Sequence, residues 1–170
     1  DWMDAMVCLA VPPKTLDWEQ AQNIAEKMPE VILFKDEAEM LKVFLQLIDD
    51  ADILSGWNSE GYDIPYTINR IIKVLGKSET RKLCLWDQFP KERRYDNFGE
   101  ERQSYDLLGR VHLDYMQLYR KFNYEERHSY RLDYIGEMEL GEKKVAYEGS
   151  LDRLYNHDFH KFLEYNIQDV

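Results

Sequence analysis

A chain of 170 residues with 44% apolar side chains can bury a proper core and falls in the size range of one domain. Its two cysteines, Cys8 and Cys84, are too few for a disulfide framework and are expected to be buried free thiols in the reducing cytoplasm; no run of about 20 apolar residues and no signal-peptide pattern points to a membrane. A net charge of −11 runs against the basic footprint of a duplex binder, although Arg70, Lys73, Lys77, Arg81 and Lys82, then Lys91, Arg93 and Arg94, form local basic clusters.

Residues 5–11 form an apolar run suited to a buried strand, closed by Pro12 and Pro13. A helical stretch is expected over 16–28, a second strand over 31–34, and a helix over 37–48 from the spacing of Met40, Leu41, Phe44, Leu45 and Ile48. Residues 51–54 return as a strand. The polar turn after it holds Asn58 and Ser59, which can bond locally, and Gly61, which is free to take an unusual backbone angle. Tyr62, Tyr66, Ile68, Ile71, Ile72 and Leu75 then recur at helical spacing until Gly76. This strand and helix alternation predicts an α/β sheet covered by helices.

From about 77 to 109 the period dissolves. Tyr95-Asp96-Asn97-Phe98-Gly99 carries turn chemistry whose flanks are suited to a hairpin. At the end of the chain Phe159, Phe162, Leu163 and Ile167 mark an amphipathic helix that stacks Tyr165 and Asp169 on one face, four residues apart. With 12 tyrosines such a pair arises about once by chance, so its weight comes from its combination with Asp63. That residue is delivered by the strand, turn and helix of 51–75 to a helix N-terminus, where a carboxylate is well placed to meet a hard divalent cation. His157 and His160, lacking a Cys or a third His nearby, read as solvated helix residues.

In combination these segments resemble the 3′→5′ proofreading exonuclease domain of family B DNA polymerases, and within it those of T-even-type bacteriophages. Residues 54–66 resemble the family's second exonuclease motif and 165–169 its third. Leu113-Asp114-Tyr115, the stretch from Ser129 to Ile135, and that from Lys144 to Gly149 match in order between them, so the resemblance runs from about Asp4 to Val170. It implies a ribonuclease-H-like α/β fold, a mixed sheet flanked by helices, in one domain over 1–170 with a hairpin-like insertion at about 77–109.

The resemblance also implies a chemistry, hydrolysis of the terminal phosphodiester at a DNA 3′ end with two Mg²⁺ or Mn²⁺ ions on oxygen ligands. Asp63 and Asp169 would be metal ligands, Asp169 for the ion that generates the nucleophile and Asp63 on the leaving-group side. Tyr165 would orient the attacking water, and Lys144 would stand near the scissile phosphate. Asn58 and Tyr62 would line the path of the single strand, while Phe98 and Arg102 sit on the hairpin that in these polymerases projects toward the primer-template junction. The implied partners are a single-stranded 3′ end, primer-template DNA and the remainder of a polymerase chain that supplies the missing basic grip. The setting would be cytoplasmic, in an infected cell if the gene is phage-borne.

The family also opens its site with Asp-x-Glu on a first strand. Asp17-Trp18-Glu19 has that spacing but follows Pro12 and Pro13 at the start of a polar helix, where Asp17 reads as an N-cap. The first motif and its strand are therefore expected just upstream of Asp1, leaving an incomplete site, a nearly inactive piece and an exposed sheet edge on which a homodimer is possible. Asp114 and Asp133 are expected to serve turns and caps. Two other readings fit the same residues: an inert module that only positions nucleic acid or a protein, and a stand-alone oligonuclease.

Overall fold

Apolar side chains spaced every three or four residues build the helices, and short apolar runs build the strands between them, in an order close to that predicted. The computed structural model describes residues 5–97, 100–141 and 145–169. In chain order these form β1 (Cys8–Ala10), α1 (Trp18–Ala25), β2 (Val31–Leu33), α2 (Glu37–Leu47), β3 (Ile53–Gly56) and α3 (Asp63–Val74). A 3-10 helix (Lys77–Leu83), β4 (Lys91–Asn97), β5 (Glu100–Asp106), β6 (Val111–Asp114), α4 (Tyr115–Phe122), α5 (Leu132–Leu140), α6 (Leu151–His157) and α7 (Phe159–Gln168) follow. Among the described residues the strands pair as three two-stranded ladders, β1 with β2 and β3 with β6 in parallel and β4 with β5 antiparallel. The chain is thus mixed α/β.

Contacts separate two units, the first made of the two chain ends, up to Met40 and from Arg131 on, and the second of Leu41–Tyr130. In the first, β1 and β2 run in register from Cys8 opposite Val31 to Ala10 opposite Leu33, with α1 as the crossover between them. Ala10, Met28, Phe159 and Leu163 form its buried centre, and Cys8, Ile24, Leu33 and Ile167 pack around them. Leu163 is fully buried, a burial worth roughly 1.5–3 kcal/mol, so α7 is anchored by the same face that the spacing of Phe159, Phe162, Leu163 and Ile167 marks in the sequence. Asp17 occupies the N-cap position of α1 with no side-chain hydrogen bond to the helix. Both cysteines are free thiols, and burial pushes each above its ordinary range.

The phenol of Tyr155 packs edge-on against Phe159 and Phe162 and donates to the Val11 carbonyl at 2.9 Å. Burial raises its pKa above the ordinary value, which is about 10. The folded state therefore holds this proton more tightly than the unfolded chain does. Its contribution is whole below about pH 10 and is lost as pH rises through the raised folded value. Urea midpoints at about pH 7 and above pH 10 should show that Tyr155→Phe costs about 1 kcal/mol at neutrality and falls off less steeply in alkali than the parent.

In the second unit, β3 and β6 pair from Ile53 opposite Val111 to Gly56 opposite Asp114. The ends of both strands, and so the turn after β3 and the start of α4, lie side by side. Ile68 and Ile71 of α3 are buried, as are Leu83 and Leu107. Gly76, at φ 98°, follows α3, and its N–H bonds the Ile71 carbonyl at 3.0 Å, so the helix ends where the sequence places its stop. Arg110, 7% exposed, donates to the carbonyls of Ile48, Asp49, Ala51 and Lys82. Its cation thus sits against the carbonyl-rich exit of α2.

Candidate active site

The turn between β3 and α3 decides where Asp63 stands. Gly56 ends β3, and Asn58 takes the left-handed conformation at φ 58°, a region an Asn tolerates better than most side chains. The Asn58 carbonyl accepts from the N–H groups of Gly61 and Tyr62 at 3.2 and 3.1 Å, and the Ser59 carbonyl accepts from Ile64 at 3.0 Å. The strained angle belongs to Asn58 rather than to Gly61, where the sequence placed it. A Cβ at Gly61 would stand 3.0 Å from the Asn58 Oδ1, so a larger residue there would push the Asn58 side chain by a few tenths of an ångström. Asp63 is the first residue of α3 and is exposed, and Pro65 fits the first turn, where an N–H has no helical partner.

This turn is pinned from α4. Asp114, only 6% exposed, accepts from the backbone N–H groups of Asn58 at 3.1 Å, Glu60 at 3.1 Å and Met116 at 3.0 Å, with Gln117 at 3.4 Å. It is at once the N-cap of α4 and the clamp on the turn that leads to Asp63, which extends the capping role expected of it. Asp133 lies in the first turn of α5 and accepts from the Tyr134 N–H at 2.9 Å. Ser59 is buried, donates to Gly56 and meets the His112 Nε2 at 2.9 Å. The Trp57 indole donates to the Tyr130 carbonyl at 3.0 Å, and its ring packs on Tyr115 and Tyr119. Asp114, Tyr115 and Tyr130 fall in segments that match the family, but no local signal pairs any of these residues with this turn.

Beside Asp63 the outer face of α3 is aromatic and open. Tyr62 and Tyr66, 63% and 55% exposed, stack in parallel with centroids 5.9 Å apart. Such a pair offers a flat surface to bases without reading their identity. Asn58 stands half-buried one turn earlier.

Tyr165 and Asp169 belong to the other unit. The Asp169 N–H bonds the Tyr165 carbonyl at 3.1 Å at the C-terminus of α7, so the two are one helical turn apart as their spacing predicts. Tyr165 packs edge-on against Tyr147 with centroids 5.2 Å apart, and the Oδ1 of Asp169 is shielded from solvent. Lys144 and Phe98 lie outside the described residues. Arg102 lies on β5 in register with Tyr95.

Asp63 and Asp169 are oxygen donors, the kind that suits Mg²⁺ or Mn²⁺, so their chemistry fits the ions the resemblance implies. Among the described residues no three His, Cys, Asp or Glu are grouped so as to hold a metal, and His160 faces Glu164 at 3.7 Å. No helix among them is long and apolar enough to cross a membrane.

Comparison with known proteins supports the same assignment. The family described as DNA polymerase family B, exonuclease domain, matches residues 9–135. The DNA-directed DNA polymerase of Escherichia phage RB69 is 36% identical over 139 residues, which is 81% of this chain and 15% of that protein. That of Enterobacteria phage T4 is 28% identical over 160 residues, 91% of this chain and 18% of its own length. A DNA polymerase of Thermococcus litoralis is 31% identical over 140 residues, 75% of this chain and 7% of that protein. The chain therefore spans less than a fifth of the length of these relatives. The family match takes in β3, the turn, Asp63, the hairpin and the Asp114 clamp, and with the two phage relatives it shows that this chain belongs to the exonuclease domain of the family B DNA polymerases, in its T-even phage type.

Proposed function

We propose that this chain is the proofreading part of a DNA-directed DNA polymerase and removes the 3′-terminal nucleotide of a single strand by hydrolysis, on a ribonuclease-H-like fold. The observation that carries the reading is the presentation of Asp63, an exposed carboxylate at the start of α3, on a turn locked by a buried aspartate and beside an open pair of stacked tyrosines. A carboxylate that only capped a helix would need no such clamp.

Asp63 and Asp169 would hold the divalent ions, which when bound supply charge to the reacting phosphate and lower the pKa of water. The residues of the chain do the rest. Tyr62 and Tyr66 stack the terminal bases, and Asn58 borders that path. Tyr165, steadied by the ring of Tyr147, orients a water through its hydroxyl, and Lys144 offsets charge on the phosphate. On the hairpin, Phe98 and Arg102 are the residues proposed to meet the primer-template junction. The DNA 3′ end and the remainder of the polymerase are the partners, and the latter provides the positive surface that a chain of net charge −11 lacks.

Affinity for a hard cation rests on the number and charge of its oxygen ligands. The 170 residues contribute two of the four carboxylates that the resemblance implies, so by themselves they should digest 5′-labelled single-stranded DNA only slowly, even with Mn²⁺. In the full-length polymerase digestion should be rapid, and Asp63→Ala or Asp169→Ala should each slow it at least about a hundredfold. Outer-shell changes alone cost 10- to 100-fold at metal sites, and a direct ligand matters more. Unchanged digestion by full-length Asp63→Ala would sink the assignment of Asp63 as a metal ligand, and no digestion by the full-length parent would leave the inert, positioning module in its place.

A further inference from the structure

The side chain of Glu60 connects the turn that carries Asp63 to three other elements. Only 17% exposed, it accepts from Arg93 of β4, from the Ser104 hydroxyl of β5 at 3.0 Å and from the Gln117 amide of α4. Arg93 and Ser104 are directly opposed in the ladder, so their side chains leave the same face and one rung of the hairpin grips one carboxylate. Ser104 is fully buried, whereas Arg93 reaches the same carboxylate from the solvent side, its side chain 52% exposed. The Glu60 main chain is held as well, through its N–H to Asp114 at 3.1 Å. Between Glu60 and Asp63 stand only Gly61 and Tyr62, and the N–H groups of Gly61, Tyr62 and Ile64 are all bonded back within the turn. A displacement of Glu60 must therefore carry Asp63 with it.

We propose that Glu60 is a positioning residue that ties the β4–β5 hairpin to the turn delivering Asp63, so that the stance of the hairpin sets where the Asp63 carboxylate stands. The bond runs through a charge pair whose carboxylate is mostly buried and whose guanidinium is half exposed, and the fork-shaped cation and the carboxylate hold direction as well as distance. Loss of Arg93 leaves the Ser104 hydroxyl as the remaining hairpin bond to Glu60 and so loosens the turn, while β3 and β6 stay paired. The catalytic half of the proposal rests on the reading of Asp63 as a metal ligand; the mechanical half does not.

Two measurements test it. In the 170-residue chain, amide exchange at Gly61, Tyr62 and Ile64 should rise about tenfold in Arg93→Gln, the loss of one charge-assisted hydrogen bond, with amides of the β3–β6 ladder unchanged as the control for folding. Arg93→Lys, which keeps the charge without the fork, should fall between. In the full-length polymerase, Arg93→Gln and Glu60→Gln should each lower the kcat of single-strand digestion about tenfold at constant KM, and the double variant should be no slower than either alone. Faster exchange confined to the hairpin, or additive losses in the double variant, would overturn the proposal even if Asp63→Ala abolishes digestion. Digestion that survives Asp63→Ala would overturn the metal-ligand reading, whatever the exchange shows.

Discussion

Asp114→Ala is expected to lower the stability of the second unit by about 3–5 kcal/mol, read as an earlier urea midpoint. The carboxylate is buried and accepts four backbone N–H groups, two at the start of α4 and two in the turn after β3. Loss of an N-cap alone costs about 1 kcal/mol, and each further donor left without an acceptor in a buried place adds about 1–3 kcal/mol. Asp114→Asn, which keeps one carbonyl oxygen and the shape, should lose about half as much, because the amide nitrogen cannot accept. The loss should fall on both sides of the clamp. Amide exchange should rise at Asn58 and Glu60 as well as at Met116 and Gln117, whereas a residue that merely capped α4 would affect the last two only.

Arg110→Met should be as costly, about 3 kcal/mol or more, although it preserves volume and apolar packing. The guanidinium reaches four main-chain carbonyls around the exit of α2 and the end of the 3-10 helix. A thioether donates nothing, so those carbonyls lose their partner in a place that water reaches poorly. Arg110→Lys should recover part of the loss. An ammonium keeps the favourable charge near a helix C-terminus, but its three donors on a flexible stem cannot span acceptors that a planar fork reaches together. A Lys variant as unstable as Met would mean that directional bonding, not charge, does all of the stabilising.

Much of this protein is legible from the sequence because its signals are local. The spacing of Met40, Leu41, Phe44 and Leu45 marks α2, and that of Phe159, Phe162, Leu163 and Ile167 marks α7 with Tyr165 and Asp169 one turn apart. Asp63 at the start of α3 follows from the strand, polar turn and apolar period around it. The family follows from motifs in order, and the comparisons show it.

What the sequence left open was decided by partners distant along the chain. No periodicity marks Glu60 as the point where a hairpin rung, a helix and a turn meet, since Arg93, Ser104 and Gln117 follow it by 33, 44 and 57 positions. Gly61 was read as the residue with the unusual angle, yet that angle fell to Asn58, whose N–H must face Asp114, 56 positions on. No sequence signal marks Arg110, whose side chain meets carbonyls after α2 and in the 3-10 helix. A backbone period is fixed by neighbours three or four residues away, so the local sequence alone reveals it. Which buried acceptor satisfies which donor depends on chain segments meeting in space, and only the tertiary structure settles that.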